Sequence, residues 1–174
     1  LHYPLRRQRQ MCIRDSNPPV NPLSDGVRAG LYEGIANAEA DDYVVGVVLT
    51  GKGRAFIGGA DISEFGGENV GQSLGSVFKK LEYCTKPVVA AINGLALGGG
   101  LETALCCNYR MASNTAFVGL PEVNLGLLPG AGGTQRLPRL VGPAEALKMM
   151  LSGAHVPAKN CLLYTSDAAD EEDS

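Results

Sequence analysis

Apolar positions recur every three or four residues in two stretches of the chain and run almost unbroken in two others. Val27, Leu31, Ile35 and Ala38 fall on one face of a helix that Ser24 or Asp25 can cap and Asp41-Asp42 ends. Val70, Leu74, Val77, Phe78 and Leu81 repeat that spacing and predict a second helix. It stops before Lys86-Pro87, because the residue ahead of a proline is pushed out of helical backbone. Between them, YVVGVVLT at 43–50 is a β-branched run of the kind a strand buried on both faces shows. VVAAI at 88–92 predicts another such strand.

Downstream the pattern shortens. NGLALGGG at 93–100 leads into an apolar helix, LETALCC. YRMAS predicts a strand and AFVG a short extended piece. PEVNLGLLPGAGG is a long irregular loop, and TQRLPRL and PAEALKMMLSG close as helices. GKGRAFIGGADISEF at 51–65 and the Pro-rich NPPVNPLS read as loops. Strands alternating with helices predict an α/β fold of parallel units with right-handed crossovers. No internal repeat and no linker is evident, so one domain is expected. In such folds ligands sit where loops leave the carboxyl ends of strands, and the three glycine clusters are expected there.

Composition sharpens this in a few places. The chain has 174 residues, 45% hydrophobic and 19% charged, which is ordinary for a globular protein. Its 23 glycines fall mostly into those clusters, which points to backbone-lined sites. A net charge of −3 leaves no footprint for nucleic acid, and Lys79, Lys80 and Lys86 read as a solvated face. No apolar run approaches the roughly 18–20 residues of a membrane span. Five cysteines form no C-x-x-C pair, so a reducing compartment and no metal are expected. Cys106 and Cys107 read as small apolar side chains on a helix.

The two ends differ in texture from the middle. The first sixteen residues are basic without an apolar core, and the last stretch is small, polar and acidic. Back-translated, residues 6–16 and 161–170 fit one DNA string resembling a sequencing adapter and its reverse complement. Residues 1–16 and 161–174 are therefore expected to be non-native tails outside the packed core, with an open sheet edge nearby. That leaves 17–160 as the natural segment, with His155 as its only histidine.

The chemistry-bearing residues lie around the glycines. GGADI follows one strand, and ALGGGLE follows another and opens a helix. Two backbone N–H groups converging from such loops make an oxyanion hole. Glu102 sits one turn into an apolar helix and Glu122 follows a proline in an uncharged stretch. Carboxylates are rarely placed so without a partner or a task, and two of them beside an oxyanion hole form a general acid/base pair. No nucleophile and base come together for covalent acyl transfer. Neither the dinucleotide fingerprint nor the P-loop spacing fits LGGGLETA or GKGRAF.

GRAFIGGADISEF, KPVVAAINGLALGGGLETAL and FVGLPEVNLGLLPGAGGTQRLPRLVG resemble the three signature regions of the crotonase, or enoyl-CoA hydratase/isomerase, family. The resemblance implies a crotonase-like ββα spiral, truncated at both ends, with 17–160 a partial domain. It also implies hydration of 2-enoyl-CoA thioesters in fatty-acid β-oxidation. NPPVNPLSDGVRAGL resembles the hydratase portion of multifunctional β-oxidation proteins, which leaves open a following 3-hydroxyacyl-CoA dehydrogenase and an oligomeric parent. Glu102 and Glu122 match the family's two catalytic glutamates, and Ala60 and Gly99 its oxyanion amides. Gly58, Gly59, Asp61, Ile62, Gly98, Pro121 and Gly130 match its substrate-lining loops. The partner implied is an acyl-CoA, with CoA part of the substrate and no separate cofactor. The implied compartment is the cytoplasm of a bacterium, or a mitochondrion or peroxisome. An enoyl-CoA isomerase and a non-catalytic crotonase-like binding protein are the alternatives.

Overall fold

The structure, a computed structural model, describes residues 11–13, 20–64 and 71–161. Its strands are β1 (Met11–Ile13), β2 (Val47–Thr50), β3 (Ala55–Ile57), β4 (Val88–Ile92), β5 (Leu95–Leu97), β6 (Tyr109–Ala112), β7 (Phe117–Gly119) and β8 (Val156–Pro157). The helices are α1 (Asp25–Ala40), α2 (Leu74–Glu82), α3 (Gly99–Cys106), α4 (Gly133–Val141), α5 (Pro143–Ser152) and the single turn α6 (Ala158–Cys161). Short 3-10 turns span Ile62–Glu64 and Pro121–Leu125.

The expected alternation of strand and helix is present, but each strand is doubled. One sheet runs β1-β2-β4-β6, all parallel. A second runs β3-β5-β7-β8, parallel except for the antiparallel β8. The chain therefore advances in ββα turns, β2-β3-α2 then β4-β5-α3, and a ββα spiral is what the structure has. AFI and LAL, read within loops, are strands of the second sheet. Each is three residues long, too short to show a period. Where the chain passes from one sheet to the other, Gly51 and Gly94 lie against backbone. A Cβ on Gly94 would sit 2.0 Å from the Arg54 carbonyl oxygen.

Two further expectations are corrected. The run 43–50 is not a strand buried on both faces. Only Val47–Thr50 pairs, its burial alternates, and Tyr43 and Val45 are exposed. One face of that sheet meets the core while the other is half covered. Second, Met11–Ile13, placed in a tail outside the core, pairs in parallel with Val47 to Leu49. An unpaired strand edge offers a row of free N–H and C=O groups, and an adjacent apolar tripeptide satisfies it. Cys161 likewise ends α6. The rest of 1–16, residues 162–174, and Val70 of the second helix lie outside the described residues.

Helix α1 buries Val27, Leu31, Ile35 and Ala38, and α2 buries Val77, Phe78 and Leu81. Burial of each large apolar side chain contributes about 1.5–3 kcal/mol. Ser73 caps α2, accepting from the Ser76 amide at 3.1 Å. Ser24 makes no such bond. Instead Glu64 accepts the Asp25 amide at 2.8 Å, which ties the loop after β3 to the start of α1. Lys86 donates to the carbonyls of Ala38 and Asp41 at 2.6 and 2.5 Å, completing the other end of α1, and Lys80 pairs with Glu39.

Every residue of α3 is buried. Its fit against β3 depends on Gly100, where a Cβ would lie 2.0 Å from the Ile57 carbonyl oxygen. Gly100→Ala is expected to destabilise toward the upper end of roughly 1–3 kcal/mol, the usual cost of overpacking. Gly26→Ala, in α1 with nothing within 4 Å of the new Cβ, is expected to stabilise by up to about 1 kcal/mol. Urea unfolding midpoints of the two variants, moving in opposite directions, check both.

Candidate active site

The site forms where β3 and β5 of the second sheet run out into glycine loops. Gly58 donates to the Val20 carbonyl and Leu23 donates to the Gly59 carbonyl, both at 2.8 Å. These two bonds pin the GGADI loop to 20–23 and bring Ala60 against the start of α3. A Cβ placed on Gly99 would lie 3.6 Å from the Ala60 nitrogen. Gly99 is the first residue of α3, so its N–H has no intrahelical partner. Among the described residues the Ala60 N–H has no hydrogen-bond acceptor either.

Gly98, at φ +52, is in backbone that a side chain rarely adopts. Its amide donates to Gly119 of β7 at 2.9 Å, and Glu122 Oε1 lies 3.1 Å from where its Cβ would be. The Glu122 carboxyl thus rests on the entry to α3. Pro121 opens the 3-10 turn that carries it. Glu102, four residues along α3 from Gly98, is 3% exposed. Its Oε1 accepts from the amides of Ala131 and Gly133 at 3.0 and 2.8 Å.

The structure therefore gathers Ala60, Gly98, Gly99, Glu102 and Glu122. Gly58 and Gly59 shape the loop that presents Ala60. Asp61 turns outward and accepts from the Ser63 amide and hydroxyl at 3.0 and 2.6 Å, so its visible task is to cap the turn Ile62–Glu64. Ile62 is exposed. Gly130 is exposed too, and the PGAGG cluster does not follow a strand as expected but forms the N-terminus of α4. Its contribution to the site is the pair of amides on Glu102. Sequence reading missed Ala131 and Gly133 in that role, although glycines just ahead of a helix are a signal for free N–H groups. It also missed Leu23 and the buried Asn21. The Asn21 amide donates to the carbonyls of Lys52 and Ala55 at 3.0 and 2.9 Å and fastens the segment that pins the loop.

Burial pushes the Glu102 carboxyl above its ordinary pKa, against the opposing pull of the Gly133 and Ala131 amides and of Arg136. Burial also raises Glu122. Its own amide opposes this, and the negative charge of Glu102 adds to it. Glu122 Oε2 is buried with no partner among the described residues. Two carboxyls with raised pKa therefore stand beside two backbone amides that can hold an oxygen anion. Burial pushes the Cys106 and Cys107 thiols up to about 12, which makes them packing groups, not nucleophiles. Among the described residues no three His, Cys, Asp or Glu side chains gather as a metal site, and no helix is long and apolar enough to cross a membrane. A cavity of about 460 Å³ lies elsewhere, on the Leu101 and Leu105 side of α3.

Comparison with known proteins fits this geometry. The enoyl-CoA hydratase/isomerase family matches residues 10–163. The peroxisomal bifunctional enzyme of Danio rerio is 49% identical over 160 residues, covering 92% of this chain and 22% of its own length. A probable enoyl-CoA hydratase of Bacillus subtilis is 44% identical over 168 residues, covering 89% of this chain and 64% of its own. A solved enoyl-CoA hydratase subunit from Geobacillus kaustophilus superposes with a TM-score of 0.80 at 40% identity, covering 88% of this chain and 62% of that one. The chain thus spans about a fifth of the bifunctional enzyme and under two thirds of the other two.

The raised carboxyl of Glu102 has a consequence for stability. A group that holds its proton more tightly when folded costs stability once it ionises. That cost is absent below the ordinary glutamate value of about 4.3, grows as pH rises toward the raised one, and is constant above it. Glu102→Gln keeps the shape and cannot ionise. It is expected to gain stability over the parent at neutral pH and to lose that gain near pH 4. Denaturation midpoints followed from about pH 4 to about pH 8 check this, and a pH-independent difference would show that Glu102 is not perturbed by burial.

Proposed function

Since this chain belongs to the enoyl-CoA hydratase/isomerase family and has its crotonase fold, we propose that its site adds water across the double bond of a 2-enoyl-CoA. The observation that carries this reading is the pairing of Glu102 and Glu122, both raised, beside the convergent Ala60 and Gly99 backbone. In the proposed mechanism the thioester oxygen sits between the Ala60 and Gly99 amides. As water adds to the β-carbon, charge moves onto that oxygen as an enolate, and the two amides hold it. Loss of one such donor typically costs about 10²–10³ in rate. Glu102, raised by burial but with two amides and Arg136 opposing that rise, takes the proton from the attacking water. Glu122, disfavoured as an anion by burial and by the charge of Glu102, delivers the proton to the α-carbon.

Gly58, Gly59 and Asp61 to Ile62 line the approach of the CoA arm in this reading, and Gly98, Pro121 and Gly130 border the acyl end. CoA arrives as part of the substrate, and no separate cofactor takes part. The similar proteins include peroxisomal enzymes of animals, a glyoxysomal one of a plant, and enoyl-CoA hydratases of bacteria. These names support a peroxisome, or a bacterial cytoplasm, as the compartment. The names of the multifunctional relatives support a role in fatty-acid β-oxidation as one activity of a longer polypeptide.

Loss of absorbance of a short 2-enoyl-CoA measures the reaction directly. Glu122→Gln is expected to lower kcat by about 10²–10⁴, the usual span for a general acid or base. Hydration retained in that variant, with double-bond migration lost, would move the assignment to an enoyl-CoA isomerase.

A further inference from the structure

We propose that Arg136 is a positioning residue for Glu102: its guanidinium ties the end of α2 to the turn 131–133 and so fixes the two amides that hold the carboxylate. The catalytic meaning of this rests on the acid/base reading of Glu102 given above. Arg136 Nε and Nη2 donate to the two oxygens of Glu82 at 3.2 and 3.0 Å. Its Nη1 donates to the Ala131 carbonyl at 2.9 Å. Ala131 is thus held at both ends of one residue, its carbonyl by Arg136 and its amide by Glu102. The Arg136 amide closes the turn from the other side, donating to the Gly132 carbonyl at 2.9 Å.

Gly132 shows how closely the guanidinium follows the turn. It sits at φ +101, and a Cβ there would lie 2.1 Å from Arg136 Nη1. A planar fork reaches three acceptors on two elements, which a lysine ammonium on a flexible stem cannot reproduce. The charged and titratable groups around Glu102 are Arg136 from α4, Glu122 from the turn Pro121–Leu125 and Cys106 on α3 itself, with Glu82 of α2 behind Arg136. Arg136 is the one cation among these. Misplacement of a supporting group by about 1 Å can cost on the order of 10²-fold in rate.

The test uses NMR on this chain, with activity as a second arm. The Glu102 carboxyl carbon is assigned by its loss in Glu102→Gln. In Arg136→Met its titration midpoint is expected to rise, and hydrogen exchange at the Ala131 and Gly133 amides to quicken by roughly tenfold or more. Arg136→Lys is expected to bring the midpoint partly back while exchange stays fast, because it restores charge without the fork. Glu82→Gln, which removes only the far anchor, is expected to quicken exchange and carries the test if Arg136→Met does not fold. In the hydration assay Arg136→Met is expected to lose about 10- to 100-fold in kcat with little change in KM. The proposal is overturned if folded Arg136→Met or Glu82→Gln leaves both midpoint and exchange unchanged. Full activity in Glu102→Gln would instead remove the hydratase reading, while the exchange and midpoint data would still decide the role of Arg136.

Discussion

A carboxylate that is 3% exposed must find its solvation inside the protein, and Glu102 finds it in two backbone amides. Much of the site is arranged around this requirement. The irregular path after β7 ends in a turn whose N–H groups converge on Oε1, and the dipole of α4 points its positive end the same way. A buried acid held less well would simply stay protonated. Held as it is, its pKa is still raised by burial, but the two amides and Arg136 oppose that rise.

The spiral of doubled strands explains how such a site is assembled from distant stretches. Each ββα turn uses a longer strand in one sheet for cohesion and a three-residue strand in the other for placement. The short strands β3, β5 and β7 lie side by side, so the loops leaving them meet. GGADI comes from the first turn, GGG and Glu102 from the second, and Glu122 from the third. Within GGG the roles separate. Gly98 is required by backbone conformation and by Glu122, Gly99 by the Leu23 side chain, which lies 3.0 Å from where its Cβ would be, and Gly100 by contact with Ile57.

Much of this was legible in the sequence because it rests on periodicity or on residue types rarely wasted. The apolar face of α1 fell on Val27, Leu31, Ile35 and Ala38 as spaced, and VVAAI is β4 from end to end. Glu102 and Glu122 stood out as charges in apolar stretches, and the structure brings each to the start of α3. What was not legible depends on backbone meeting backbone. Strands of three residues carry no period, so the second sheet was hidden in loops. The NPPVNPLS segment gave no sign that Val20 and Leu23 would fasten the GGADI loop, since they do so mainly through peptide groups that every residue has. The contrary case is YVVGVVLT, whose β-branched run suggested more strand and more burial than the half-covered sheet provides.

The last strand of the first sheet, β6, is exposed at all four residues, Tyr109 and Met111 among them. Among the described residues its outer edge has no partner strand, and such an edge is a template on which another extended chain can hydrogen-bond. Self-association through that edge should grow with concentration while the fold itself stays intact, and shielding Tyr109 and Met111 should do more for solubility than any strengthening of the core.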